Sequence, residues 1–291
     1  MSEWDGRGLP PIVEARLERA RRSGVRTSLL SVSGQAGLDH SGFAPVGEVM
    51  GCVVEHIGFQ GYGGCGIYPG YGMAVSGYAR TQTSGDGGFA GFAPYVDALN
   101  AGWDGAIGRM LTECRELGGD GVVGVRLQER HLGEGNREFV TLGTAVRSLG
   151  GRHTDRPFAT ALDGQDVVKL MGARWVPAAI VVAIAVAIRH DDYNTRLATR
   201  AYAGNVEVPG YSELVTFARD DARRVLERRV ARIGADGAVL TSPMRLQIHA
   251  LEVSDGHTDH VAEASMAATA VAYFGNAVAT PPSPRMVLPL D

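Results

Sequence analysis

The feature that most constrains this chain is that it repeats itself. Leu117-Gly118-Gly119-Asp120-Gly121-Val122-Val123 reads against Ile233-Gly234-Ala235-Asp236-Gly237-Ala238-Val239, and Gly143-Thr144-Ala145-Val146 against Ala268-Thr269-Ala270-Val271. Two shorter matches, Met50-Gly51 with Met171-Gly172 and Ser33-Gly34 with Asp163-Gly164, keep the same order along the chain. Self-similarity of this kind means that one supersecondary unit is used twice. The pairs lie 116 to 130 residues apart, so the copies differ by insertions in loops, where added length costs little closure entropy.

Each copy carries one amphipathic helix. Leu214, Phe217, Ala218, Ala222, Val225, Leu226, Val230 and Ile233 recur at three- and four-residue steps, with Asp220, Arg223, Arg224, Glu227 and Arg228 opposite. Leu99, Trp103, Ala106, Met110, Cys114 and Leu117 keep the same spacing in the first copy. One stripe of each helix must therefore be buried. Gly118 and Gly234 fall where a left-handed residue ends a helix. Strands are expected at 121–128 and 139–147, and again at 237–251 and 261–274, each pair forming a hairpin. Two more strands are expected ahead of each helix, at 27–32 and 46–54, then at 158–162 and 166–171. The expectation is an α+β fold: a tandem duplication of a small two-layer domain, mostly antiparallel sheet with one main helix per copy. Residues 1–25 form an N-terminal helical arm, 26–150 the first repeat, 151–275 the second, and 276–291 a Pro-rich tail.

Between second strand and helix the copies diverge. Residues 58–93 of the first hold twelve glycines, whereas the second has the apolar run Trp175–Ile188. That run is shorter than the ~20 residues of a spanning helix and is bracketed by Arg174 and Arg189, so a buried core or interface segment is expected. Trp175, Ile180, Val182, Ile184, Val186 and Ile188 are its candidate oligomer-interface residues. The net charge of −4 favours no nucleic acid partner. Three cysteines without a CxxC spacing suit a reducing cytoplasm.

The early Gly-Gln steps (Gly34-Gln35, Gly164-Gln165), the helix ending Leu/Ile-Gly-Gly/Ala-Asp-Gly and the strand ending Gly/Ala-Thr-Ala-Val together resemble the YbjQ family, to which heavy-metal binding is ascribed. The resemblance covers about residues 26 to 275. It implies a dodecin-like fold, a fused pair of subunits and a homo-oligomer, with a pentamer-like ring as the family's form.

Cys52 and His56 lie four apart on an expected strand, roughly 13 Å, too far for one zinc ion. Cys114 falls on the buried helix stripe, and Cys65 lies in the glycine-rich stretch. Asp255, His257, Asp259 and His260 are the best local cluster for a divalent transition metal, and His190, Asp191 and Asp192 form a similar one. Asp120 and Asp236, the acidic position common to both copies, are read as turn residues accepting backbone N–H bonds. Gly61, Gly63 and Gly66 satisfy GxGxxG, but Pro69, Gly70 and Gly72 follow where a nucleotide-binding helix would begin. No cofactor is assigned, and no serine–histidine–acid or cysteine–histidine set stands out. The reading is a cytoplasmic, non-enzymatic, homo-oligomeric binding or scaffold protein. Its alternatives are a divalent-metal-binding protein and a peripheral membrane protein docking through 175–188, although membrane partners are not favoured.

Overall fold

The computed structural model describes residues 4–6, 8–57, 82–83, 93–151, 153–253 and 257–275. The first half runs α1 (Pro11–Ser23), α2 (Val32–His40), β1 (Phe43–His56), β2 (Gln82–Thr83), α3 (Ala93–Glu116), β3 (Gly121–Gly133) and β4 (Asn136–Ser148). The second runs β5 (Phe158–Ala159), α4 (Gly164–Gly172), β6 (Trp175–His190), α5 (Tyr193–Ala198), α6 (Pro209–Arg232), β7 (Gly237–Leu240), β8 (Arg245–Val253) and β9 (His257–Tyr273). One sheet has the order β1-β4-β3-β5 and the other β2-β6-β9-β7, with β8 also on β9. The pairings are antiparallel except for β5, which joins β3 in parallel.

The duplication is visible hydrogen bond by hydrogen bond. Ser31 and Asp163 cap the nine-residue helices α2 and α4, and each helix is followed by a positive-φ residue, Gly42 (81°) or Arg174 (66°). The next strand then opens with a proline at its third residue and a register shift just after it, Pro45 in β1 and Pro177 in β6. Proline has no N–H to give a ladder, which is why it coincides with the irregularity. α3 and α6 are each 24 residues long, and Gly118 and Gly234 adopt φ of 69° and 72° after them. Thr144 Oγ1 accepts from Leu29 N–H, and Thr269 Oγ1 accepts from Ala161 N–H. The aspartates do as expected: Asp120 accepts from Ser148 N–H and Asp236 from Tyr273 N–H, both at 2.8 Å.

Several expectations give way. The segments expected as strands at 27–32 and 166–171 are instead a lead-in followed by α2, and most of α4. Capping side chains satisfy the first free N–H groups of these helices, and short apolar runs do not distinguish strand from helix. Both short matches are coincidental: Met50-Gly51 lies within β1 but Met171-Gly172 at the end of α4, and Asp163 is equivalent to the cap Ser31 rather than to Ser33, so Gly164 stands opposite Val32 and not Gly34. The strand expected over 237–251 is split at Pro243 into β7 and β8. Apart from Gln82, Thr83 and Ala93, the glycine-rich stretch, with Cys65 and Gly61, Gly63 and Gly66, lies outside the described residues, as does the tail from 276.

The apolar run is a strand buried on both faces. Ile180, Val182 and Ile184 join the core built on α3, with Val49, Leu99, Met110 and Phe139. Val181, Ala183, Ala185 and Ala187 join a second core under α6, with Leu214, Ala218 and Ala222. Its counterpart β1 alternates instead: 47, 49, 51 and 53 are buried toward α3, while Met50 and Val54 are exposed. A strand covered on both faces reads as a continuous apolar run; one with a free face alternates. The residues offered as an oligomer interface, Ile180, Val182, Ile184, Val186 and Ile188, are thus covered by the chain itself, with Trp175 half-buried against Tyr273. The same burial takes the run away from any membrane surface.

Gly51 faces α3 so closely that a Cβ there would overlap the carbonyl of Ala106. Gly51→Ala should therefore destabilise the fold by about 2–4 kcal/mol, measured by urea unfolding, in line with overpacked cores. Asp120 is buried, which opposes its ionisation, but hydrogen bonds from Ser148 N–H, His153 and Thr154 N–H outweigh this and lower its pKa. A lowered folded-state pKa stabilises above the ordinary carboxylate value and ceases to do so as pH falls through the lowered one. Asp120→Asn should cost about 1–2 kcal/mol at pH ~7, and the deficit should shrink below pH ~3.5, in paired denaturant titrations.

Candidate functional site

Two polar clusters stand out from the apolar layers. The more buried one joins the halves. Arg137 on β4 grips Glu263 on β9 with both guanidinium nitrogens, Nη1 to Oε1 at 3.2 Å and Nη2 to Oε2 at 3.3 Å. Nη1 also reaches Glu129 Oε1 on β3 at 2.8 Å. Tyr95, at the start of α3, donates to Glu263 Oε2 at 2.5 Å, accepts from Arg137 Nη2, and lays its ring 5.4 Å from the guanidinium carbon. Arg137 and Glu263 are 7% and 6% exposed. Burial, then the neighbouring Glu263 carboxylate, pushes the Tyr95 phenol well above its ordinary pKa. Arg137 is also raised, because the carboxylates around it outweigh its burial. The tyrosine therefore stays protonated and the arginine charged. The group bridges the two sheets as a clamp.

The second cluster sits where β6 ends and β9 begins. Asp259 and His260 of the proposed metal set are neighbours on β9, so they project to opposite faces. Asp259 pairs at 2.6 Å with His190, which lies directly opposite it on β6. His260 engages Asp191 through Nδ1 at 2.9 Å and the Tyr211 hydroxyl through Nε2 at 3.0 Å. With both ring nitrogens occupied, His260 has none left for an ion. Asp255 and the His257 side chain lie outside the described residues. Asp192 caps α5 through Thr195 N–H and pairs with Arg189, and these bonds lower its pKa. Burial, then Asp191, raises the Tyr211 phenol to about 12. The cluster ties the start of α6 to the strand ends.

The remaining sulfur and histidine donors are scattered. Cys114 is buried, donates to Gly121 O, and has its thiol pushed up to about 12, mainly by burial. Cys52 lies beside Glu138, and burial raises its pKa too. His56 bonds Asn136. Among the described residues no group of three or more His, Cys, Asp or Glu side chains is placed to hold a metal. No helix among them is long and apolar enough to cross a membrane. Sequence reasoning passed over Tyr95, Arg137 and Glu263. The available signal was Glu263, one charge inside the apolar strand Val261–Val271, which in a buried strand demands a partner.

The profile of the family described as "Putative heavy-metal-binding" matches residues 87–148, the span of α3, β3 and β4. The fold and this match define a tandem α+β protein whose first half carries a YbjQ-type segment. Over nearly its whole length the chain is 33% identical to the encapsulin nanocompartment protein Rv1762c of Mycobacterium tuberculosis, across 97% of this chain and 98% of that one. The chain belongs to the family of that protein. It is also 40% identical over 53 residues to the UPF0145 protein NP_2600A of Natronomonas pharaonis, and 38% identical over 52 residues to the UPF0145 protein OE_4416R of Halobacterium salinarum. These stretches cover 18% of this chain and about half of each relative. No solved structure matches.

Removing one partner of a buried ion pair leaves the other charge stranded. Arg137→Met should destabilise the protein by about 3–5 kcal/mol in chemical unfolding, and Arg137→Met combined with Glu263→Met should recover much of that loss.

Proposed function

We propose that this protein is a self-assembling structural component of a protein nanocompartment in the cytoplasm. The observation that carries this reading is the 33% identity, maintained from end to end, to a protein named for an encapsulin nanocompartment. The described part of the molecule supports it. The two buried polar clusters hold helices and strands together, and its two halves are joined by an apolar core and the Arg137–Glu263 clamp. A shell or scaffold subunit needs this rigidity more than it needs a reactive cleft.

Light scattering on the purified full chain, with negative-stain electron microscopy, tests the proposal. The expected result is a discrete assembly far above the 30.7 kDa of one chain. A monodisperse monomer, alone and with co-expressed cellular partners, would refute it.

The family profile over 87–148 favours a second reading, in which the assembly binds a divalent transition metal. Elemental analysis of untagged protein decides this one. Stoichiometric metal that survives dialysis would establish it, and metal-free protein that shows no thermal shift on zinc or nickel titration would end it.

A further inference from the structure

The junction between the two halves is built from surfaces that recur, unoccupied among the described residues, at the two ends of the molecule. Residues 158–162 lead into the second copy and lie along the outer edge of β3. Phe158 N–H and Thr160 N–H donate to the carbonyls of Asp120 and Val122, and the carbonyls of Thr160 and Leu162 accept from Val125 and Gly124. Residues 26–30 are the equivalent lead-in for the first copy and repeat two of its hydrogen bonds. Leu29 N–H bonds Thr144 as Ala161 N–H bonds Thr269, and Leu30 N–H bonds Ser28 Oγ as Leu162 N–H bonds Thr160 Oγ1. Yet Arg26, Thr27 and Ser28 are exposed, and no strand among the described residues runs beside them.

The tail end shows the complementary vacancy. Val122 and Val123 of β3 are fully buried, whereas their counterparts in β7 are not: Ala238 is exposed and Val239 half-buried, and Leu240, which stands where β3 has the positive-φ Gly124, is 58% exposed. The outer edge of β7 has no partner strand among the described residues. A third pair of surfaces repeats the pattern. The outward face of β1 (Glu48, Met50, Cys52, Val54) corresponds to the β6 residues that pack against α3. The outward face of α6 corresponds to the part of α3 that receives them.

We propose that copies of this chain associate head to tail, residues 26–30 of one chain adding in parallel to the β7 edge of the next while the outward face of β1 meets the outward face of α6. Such a contact is heterologous, so it builds rings or extended arrays rather than closed dimers. It rests on the assembly reading above and specifies the surfaces. The occupant is a second copy because the same chain already makes this contact with itself once, within one molecule.

The repeated contact has a different chemistry from the original. Where α3 offers Trp103, Ile107 and Leu111, α6 offers Arg219, Arg223 and Glu227, and the β1 face it would meet carries Glu48 beside Met50 and Val54. The internal junction is a core; the external one is polar and charge-complementary, as a surface exposed in the free chain must be. Helices α2 and α4 touch through Gly34 and Gly164, where no Cβ fits, and positions 166 and 32 that would replace them are Asp and Val. The contact between chains therefore runs through strand edge and sheet face, not through these helices.

Two singly blocked variants test this. Ser28→Pro removes the N–H that would donate to Ala238 and blocks the head; Leu240→Arg puts a charge on the exposed tail and blocks that end. Met50→Arg is a second head block on a different element. Circular dichroism first establishes that each variant is folded. Each alone should run as a monomer in light scattering, while an equimolar mixture of a head-blocked and a tail-blocked variant should form a complex of twice 30.7 kDa and nothing larger. Assembly of either single variant like the wild type, or a mixture of folded variants that stays monomeric, would overturn the proposal. A wild-type chain that is itself monomeric is the separate failure of the assembly reading.

Discussion

The burial of β6 on both faces organises the rest of the molecule. A strand whose even residues enter one core and whose odd residues enter another cannot be an edge or a surface element. It compels α3 on one side and α6 on the other to stay where they are. The first sheet is then held against the second through α3, and the two copies share one interior instead of standing as beads on a string. Apolar burial contributes about 25 cal/mol per Å² removed from water, and β6 gains it on two faces at once. The Arg137–Glu263–Tyr95 clamp adds direction to it. Apolar layers tolerate sliding, whereas a bidentate ion pair with a tyrosine across it has one geometry.

The asymmetry between two copies of one domain follows from this. β1 and β6 begin alike, with a cap, a nine-residue helix, a positive-φ residue and a proline bulge, yet one alternates and the other is apolar throughout. α3 and α6 are equally long and end on the same glycine turn, yet α3 is apolar over most of its circumference and α6 is ringed with arginine. In each case the difference records what lies on the second face: the other half of the chain, or solvent. Duplication supplied two equivalent domains, and their packing then set different demands on equivalent positions.

Much of the fold was legible before any coordinates. The Gly-x-Asp-Gly turns, the amphipathic stripes and the Thr-Ala-Val strands name local structures whose hydrogen bonds close within a few residues or across one hairpin. Their reading carried through to the aspartates that accept N–H bonds and the glycines with positive φ. Less legible were the short helices α2 and α4, since nine residues with valines satisfy either period. The polar sites were the least legible. Asp259 and His260 look like one ligand set along the chain, but the pleat sends them apart, and His190 at the end of β6 and Asp191 just after it partner them from 69 residues away.

By itself, then, the amino-acid order determined that there are two copies, which residues turn, and which faces are greasy, because those properties depend on neighbours three or four residues away. Only the tertiary structure decided that the apolar run faces two cores within one chain, that Arg137 meets Glu263, and that the two ends carry the halves of a junction the middle has already made. Those outcomes depend on which surfaces meet across more than a hundred residues, and no local pattern encodes that choice.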